Sequence, residues 1–222
     1  PFCTKVLLPF YFHNRLFSTL WARKKSERFN AYVEQLYLHS SVFQPSTTIL
    51  DELNLSPQNY VIIRYSAFDA AHDSKVRHLT LETKKQIIQH VSKKYRVILS
   101  LEQPIEDSFL NHFVVSFSPE KMHDLLAAAR LIITEGATMT TEAFVLGIPY
   151  VYINPLKCGS INYQCIHYGH RAFKSTDYQT IIKDIDIILS NEIDSSKERS
   201  MVEDTTINPT AYLVDYIRHL EY

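Results

Sequence analysis

The segment TEGATMTTEAFVLGIPYV, residues 134–151, is where the 222-residue chain departs from ordinary core patterning. An apolar run ending at Thr134 stops at Glu135-Gly136. A threonine-rich turn follows, and Glu142 falls on the second turn of the helix that begins there. Glycine permits positive φ and lets a ligand approach the backbone closely. The N–H groups of Ala137, Thr138, Met139 and Thr140 then point outward at a helix N-terminus, where they and the macrodipole favour an anion, most simply a phosphate. Thr138 and Thr140 add hydroxyl donors, and the Glu142 carboxylate can accept hydrogen bonds from the two hydroxyls of a ribose. Gly136, Ala137, Thr138, Met139, Thr140 and Glu142 thus read as a clamp for diphosphate and ribose. The competing reading is plain capping, with Thr138 as N-cap and Thr141 or Glu142 in capping chemistry. Residue types alone leave the two even.

A second set of candidates follows another apolar run, in RYSAFDAAHD. Arg64 carries a planar fork that matches phosphate oxygens. His72, beside Asp69 and Asp73, has the chemistry of a general acid or base, or of a shield for a departing diphosphate. The alternative is a loop in which Asp73 or Ser74 caps the next helix. Glu102, after VILSL, is either a cleft carboxylate or a loop residue. Glu34 and His39, in EQLYLH, either face a cleft or simply flank packing leucines. CGSINYQCIHYGH offers Cys158, Cys165, His167 and His170, but the spacing fits no standard zinc pattern, so a polar loop without metal is expected.

These groups need elements to position them. Runs at Val6–Leu8, Tyr60–Tyr65, Arg96–Leu99, Phe113–Ser116, Leu131–Thr134 and Tyr150–Ile153 read as strands. From Tyr60 onward they are mostly continuous rather than alternating, as a parallel sheet covered on both faces requires. Helices are predicted at Leu79–Lys93, with Ile87, Ile88 and Val91 on one stripe and the charges opposite, and from Ser118-Pro119-Glu120 through Leu126. Others are predicted at Thr138–Leu146, Asp177–Ser190 and Thr210–Leu220. Strand–helix alternation at this density implies an α/β fold with a doubly wound parallel sheet. Gly136 would then lie at the carboxyl edge, where such folds bind ligands.

Composition is that of an ordinary globular chain, 45% hydrophobic and 21% charged with a net charge of −1, so no global field favours nucleic acid. No run approaches a membrane span. Three cysteines make no disulfide framework, which points to a reducing, cytoplasmic setting. The block WARKKSERF reads as a solvated basic loop or as a weak membrane-surface contact. Pro1 opens the chain on an apolar run, which suggests a fragment of a longer protein.

TEGATMTTEAFVLGIPYV resembles the nucleotide-sugar motif in the C-terminal lobe of GT-B glycosyltransferases. It is also similar to the matching stretch of the non-hydrolysing UDP-N-acetylglucosamine 2-epimerases. A closer resemblance is to a family of predicted bacterial and archaeal GT-B glycosyltransferases catalogued as a domain of unknown function. YVEQLYLHSSVFQP (32–45), YVIIRYSAFDAAHD (60–73), RVILSLE (96–102) and SPEKMHDLLAAARLIITEGATMTTEA (118–143) carry that resemblance. It implies a Rossmann-like domain over residues 51–222, with residues 1–50 as a remnant of the N-terminal lobe and interlobe linker. It also implies a nucleotide diphosphate sugar as donor, no separate cofactor or metal, and a glycan or lipid-linked acceptor presented by the missing N-terminal lobe. Surface-polysaccharide assembly at the inner face of the membrane is the implied setting. The diphosphate falls to Gly136, Ala137 and Thr138, and the ribose to Glu142. Catalytic duty falls to Arg64, His72 and Asp73, base contacts to the region of Lys121, Met122 and His123, and sugar contacts to Asn162 and Tyr163. Epimerases carry Ser-Gly-Gly where this chain has Gly136-Ala137-Thr138, a departure that favours transfer over epimerisation. An epimerase-like enzyme and a non-catalytic sugar-nucleotide binder are the alternatives.

Overall fold

A computed structural model describes residues 5–12, 24–65, 79–101 and 106–219. Strands β1 (Val6–Pro9) and β2 (Ser26–Phe29) pair in parallel as a small separate sheet. Strands β3 (Tyr60–Tyr65), β4 (Arg96–Leu101), β5 (Leu131–Thr134), β6 (Tyr150–Tyr152) and β7 (Ala172–Lys174) form one parallel sheet in the order β4-β3-β5-β6-β7. The described helices are α1 (Gln35–Leu38), α2 (Thr48–Glu52), α3 (Leu81–Ser92), α4 (Ser108–Asn111), α5 (Met122–Ala127) and α6 (Ala137–Val145). They continue with α7 (Gly159–His167), α8 (Tyr178–Ser190), α9 (Ser195–Thr205) and α10 (Pro209–Arg218).

The doubly wound, Rossmann-like class expected from the sequence is present, and the strand pleat explains it. Val61, Ile63, Leu131, Ile133 and Val151 face one side, where they pack on Ile87, Ile88 and Val91 of α3 and Ile181, Ile185 and Ile188 of α8. Tyr60, Ile62, Ile132 and Tyr150 face the other, against Leu125 and Leu126 of α5 and Phe144 of α6. Each fully buried aliphatic side chain contributes roughly 1.5–3 kcal/mol, so both layers are held by the same force. From β3 the chain passes outward to β4, then returns to the other side of β3 for β5. The strand order therefore reverses at the carboxyl ends of β3 and β5, the place where open α/β sheets bind ligands.

Five helix starts are closed by side chains, whereas α1, α2, α5 and α7 have no side-chain cap. Thr80 caps α3, Asp107 caps α4, Asp177 caps α8, Asp194 caps α9 and Asn208 caps α10. The far end of α6 is locked to α9. Gly147 has φ 81°, and a Cβ there would lie 2.0 Å from the Ser195 carbonyl. Fully buried Arg171 donates to the Phe144 carbonyl (2.9 Å), lies 4.3 Å above that ring and pairs with Glu198 (3.3 Å). Burial lowers the Arg171 pKa to about 10, with Glu198 opposing the shift. The last helix returns to the start of the chain: Tyr216 donates to Glu27, and Tyr212 stacks on Phe29.

Several sequence expectations need correction. Phe113–Ser116 is not a strand; only Val114 bridges Leu99, because Val114 and Ser116 are exposed and the segment turns away from the β4 edge. CGSINYQCIHYGH is mostly α7 rather than a loop, with Ile161 and Gln164 buried on its inner face. Strands β2 and β7 and helix α9 carried no apolar run strong enough to see. Among the described residues no helix is long and apolar enough to cross a membrane, and no cluster of three or more His, Cys, Asp or Glu is placed to hold a metal ion.

Candidate functional site

Arg64 is the penultimate residue of β3 and Gly136 follows the end of β5, in adjacent strands. Arg64 pairs with Thr134 across the ladder, and its carbonyl accepts from the Glu135 N–H (3.3 Å). The two candidates thus meet at the strand-order reversal. The Arg64 guanidinium donates to Ser100 Oγ of β4 (2.9 Å), which holds the fork across the edge. His72 and Asp73, with Asp69 and Glu102, lie outside the described residues.

Gly136 has φ −90° and ψ 125°, extended backbone open to any residue, so the expected positive φ is not the reason for glycine here. A Cβ at Gly136 would meet only Thr134 Oγ1, at 3.5 Å, an ordinary contact. The Gly136 N–H donates to that hydroxyl (3.0 Å), which turns the chain sharply into α6. Helix α6 has no side-chain cap, and the N–H groups of Ala137, Thr138 and Met139 have no acceptor among the described residues. Capping by Thr138, the competing reading, is therefore not what this junction does. Thr138 is exposed and open to solvent. Thr140 is a correction: it is fully buried, and its hydroxyl (2.7 Å) and its N–H both donate to the Gly136 carbonyl. It shapes the turn and has no hydroxyl left for a ligand.

Beneath this turn lies a pair that sequence reasoning missed. Lys84 Nζ sits 2.9 and 3.0 Å from the two Glu135 carboxylate oxygens, with both side chains almost wholly buried. The Lys84 ammonium also lies 4.7 Å over the Tyr65 ring. Lys84 stands three and four positions before Ile87 and Ile88, on the apolar stripe of α3 rather than opposite it, so helical spacing already placed it inward. Asn154, after β6, donates to the Glu135 carbonyl (2.9 Å), so three elements hold the turn.

Glu142 lies on the inward-facing second turn of α6, with its side chain 12% exposed. Its Oε1 accepts from the Tyr37 hydroxyl (3.0 Å) and sits 3.1 Å from His123 Nε2. Tyr37 and His123 are partners that sequence reasoning did not assign to Glu142. Glu34, one turn before Tyr37, faces the same space; burial first, and the Glu142 charge after it, push its pKa up to about 7. Burial and the Glu142 charge likewise raise the Tyr37 hydroxyl well above its ordinary value, which keeps it a donor. Next to His123, Met122 lines an open cavity of about 410 Å³ with Ser100, Leu101, Val114, Val115 and Phe117. Lys121 is instead held by Glu52, 2.6 and 2.7 Å from its two oxygens. Asn162 stands on the first turn of α7, partly exposed, and Tyr163 packs edge-on against Phe10 (4.9 Å).

Residues 1–218 match the family model described as Protein of unknown function (DUF354). The chain belongs to this family. No curated protein matches. Solved structures share the family chain's fold at low identity. A UDP-GlcNAc 2-epimerase of Methanocaldococcus jannaschii, in complex with UDP-GlcNAc and UDP, superposes with TM-score 0.52 at 14% identity, over 82% of this chain and 54% of that one. A variant of the wall teichoic acid polymerase TagF gives TM-score 0.52 at 14% identity, over 97% and 57%. The glycotransferase of kitacinnamycin gives TM-score 0.53 at 11% identity, over 96% and 54%. This DUF354 chain spans about half the length of the structures it matches, and at these identities the likeness is one of fold.

Proposed function

We propose that the chain is the donor-binding lobe of a glycosyltransferase that uses a nucleotide diphosphate sugar. The observation that carries this reading is the uncapped start of α6 at the strand-order reversal, flanked by Arg64 on one side and Glu142 on the other. Five other helices of the described chain close their first turn with their own side chains; α1, α2, α5 and α7, like α6, do not, but α6 is the one that follows β5 at the strand-order reversal. At α6 three N–H groups and the positive end of the dipole are left for an external anion. A diphosphate lies there, braced by the Arg64 fork; the ribose meets Glu142, and the base enters the cavity beside Met122. The solved structure with UDP-GlcNAc and UDP shares this fold, which supports the ligand class. In transfer, the same N–H groups and Arg64 stabilise the charge that develops on the departing diphosphate.

The test is a thermal-shift and calorimetry panel of UDP, CDP, GDP and dTDP. One diphosphate present at about 100 times its dissociation constant should add ~2.7 kcal/mol, a rise of several degrees for a chain of this size. Arg64→Ala and Glu142→Ala should each abolish most of that rise. A panel in which no diphosphate binds, or in which both variants bind as the parent does, would sink the reading.

A further inference from the structure

We propose that Glu34 is the second carboxyl of the ribose clamp, accepting one hydroxyl of the diol while Glu142 accepts the other. The inference rests on the nucleotide reading above and adds a specificity residue to it. A carboxylate that grips a diol alone presents one oxygen to each hydroxyl. Glu142 is already engaged on one side, because its Oε1 receives the Tyr37 hydroxyl at 3.0 Å and faces His123 Nε2 at 3.1 Å. A carboxylate oxygen has two lone pairs; the Tyr37 hydroxyl takes one, and the other faces His123 Nε2, which fills it in the tautomer protonated at that nitrogen. One oxygen, Oε2, is left for one hydroxyl, and the other hydroxyl needs a separate acceptor.

Glu34 supplies it. Its Oε2 is buried and has no hydrogen-bond partner among the described residues. A buried carboxyl oxygen without a partner is destabilising, and a ligand hydroxyl removes that cost. The two side chains are neighbours by construction, since α1 packs on α6 and Tyr37 of α1 is already bonded to Glu142. The Glu142 charge acts on Glu34, and Tyr37 feels both carboxyls. Glu34 thus stands beside Glu142, where the proposed ribose would lie, with an unfilled acceptor. A site that holds the diol on two carboxyls should reject a sugar lacking either hydroxyl, because one buried oxygen is then left bare.

The experiment removes the hydroxyl from the ligand and the carboxyl from the protein in one cycle. UDP, CDP and GDP are titrated calorimetrically into the chain, each beside its 2′-deoxy and 3′-deoxy form, with Glu34→Ala, Glu34→Gln and Glu142→Ala as variants. The parent chain should bind the ribonucleotide at least ~10-fold tighter than either deoxy form. Glu34→Ala should weaken the ribonucleotide and one deoxy form by ~10-fold and leave the other deoxy form unchanged, whereas Glu34→Gln, which keeps an acceptor, should retain most of the affinity. Equal losses for all three nucleotides, or none, would overturn the role of Glu34 while leaving the nucleotide site intact. Failure of every ribonucleotide to bind the parent chain, or binding unchanged in Glu142→Ala, would overturn both readings together.

Discussion

At the scale of single residues, the carboxyls of Glu34 and Glu135 behave oppositely. Glu135 has a cation in contact, Lys84, at 2.9 Å. Removing one partner of such a pair leaves a charge without compensation, so Lys84→Met should cost about 3–5 kcal/mol, while Lys84→Met with Glu135→Leu should cost much less. Chemical denaturation of the two variants measures the difference. Among the described residues Glu34 has no cation in contact, and it faces Glu142, Tyr11 and Tyr37. Its pKa rises from an ordinary 4.5 to about 7, so the native state keeps a proton that the unfolded chain has already released. Its contribution is complete below pH 4.5 and is lost as pH rises to about 7, by at most ~3 kcal/mol. Glu34→Gln cannot ionise. Its melting temperature should therefore gain on the parent across pH 4.5–7 and stay ahead above it; parallel profiles would show that Glu34 is not strained.

At the scale of elements, the three strands nearest the site were legible because continuous Val-Ile-Leu runs leave few alternatives for a strand buried on both faces. Tyr60–Tyr65 and Leu131–Thr134 form at the boundaries the sequence indicates, and the turn after Thr134 lies where its glycine points. What the sequence concealed was pairing across distance. Nothing in EQLYLH announces that Tyr37 reaches Glu142 across 105 positions, or that Arg171 stacks on Phe144. Ser26–Phe29 and Ala172–Lys174 are too short and mixed to stand out, and they form strands only because a neighbour offers an edge. The α6 junction yields a prediction that separates shape from ligand. Gly136→Ala adds a methyl in ordinary contact with Thr134, so stability should change by less than ~0.5 kcal/mol. If a diphosphate lies against that backbone, the same methyl should weaken nucleotide binding at least several-fold. Unchanged binding would show that the ligand does not approach Gly136.

At the scale of the whole molecule, the chain is tied together where its ends meet and where α9 crosses α6. Tyr212 and Tyr216 bring α10 onto β2, and Asn30 exchanges hydrogen bonds with Thr205 and Ile207. A lone two-stranded sheet is marginal in water, so β1 and β2 depend on that contact. Deleting residues from Pro209 onward should lower the midpoint of unfolding and expose β1–β2 to protease before the five-stranded sheet is cut; limited proteolysis followed by mass spectrometry shows the order. The α9 crossing is stricter. Gly147 combines φ 81° with a backbone carbonyl where a Cβ would stand, so no other residue fits without moving α9. On the nucleotide reading proposed above, the two glycines that flank α6 answer to different masters, one to the chain's own backbone and one to the ligand. Over evolutionary drift a descendant that keeps the fold but abandons its ligand can lose Gly136 and must keep Gly147. Across the family, which of the two survives becomes a record of which members still bind.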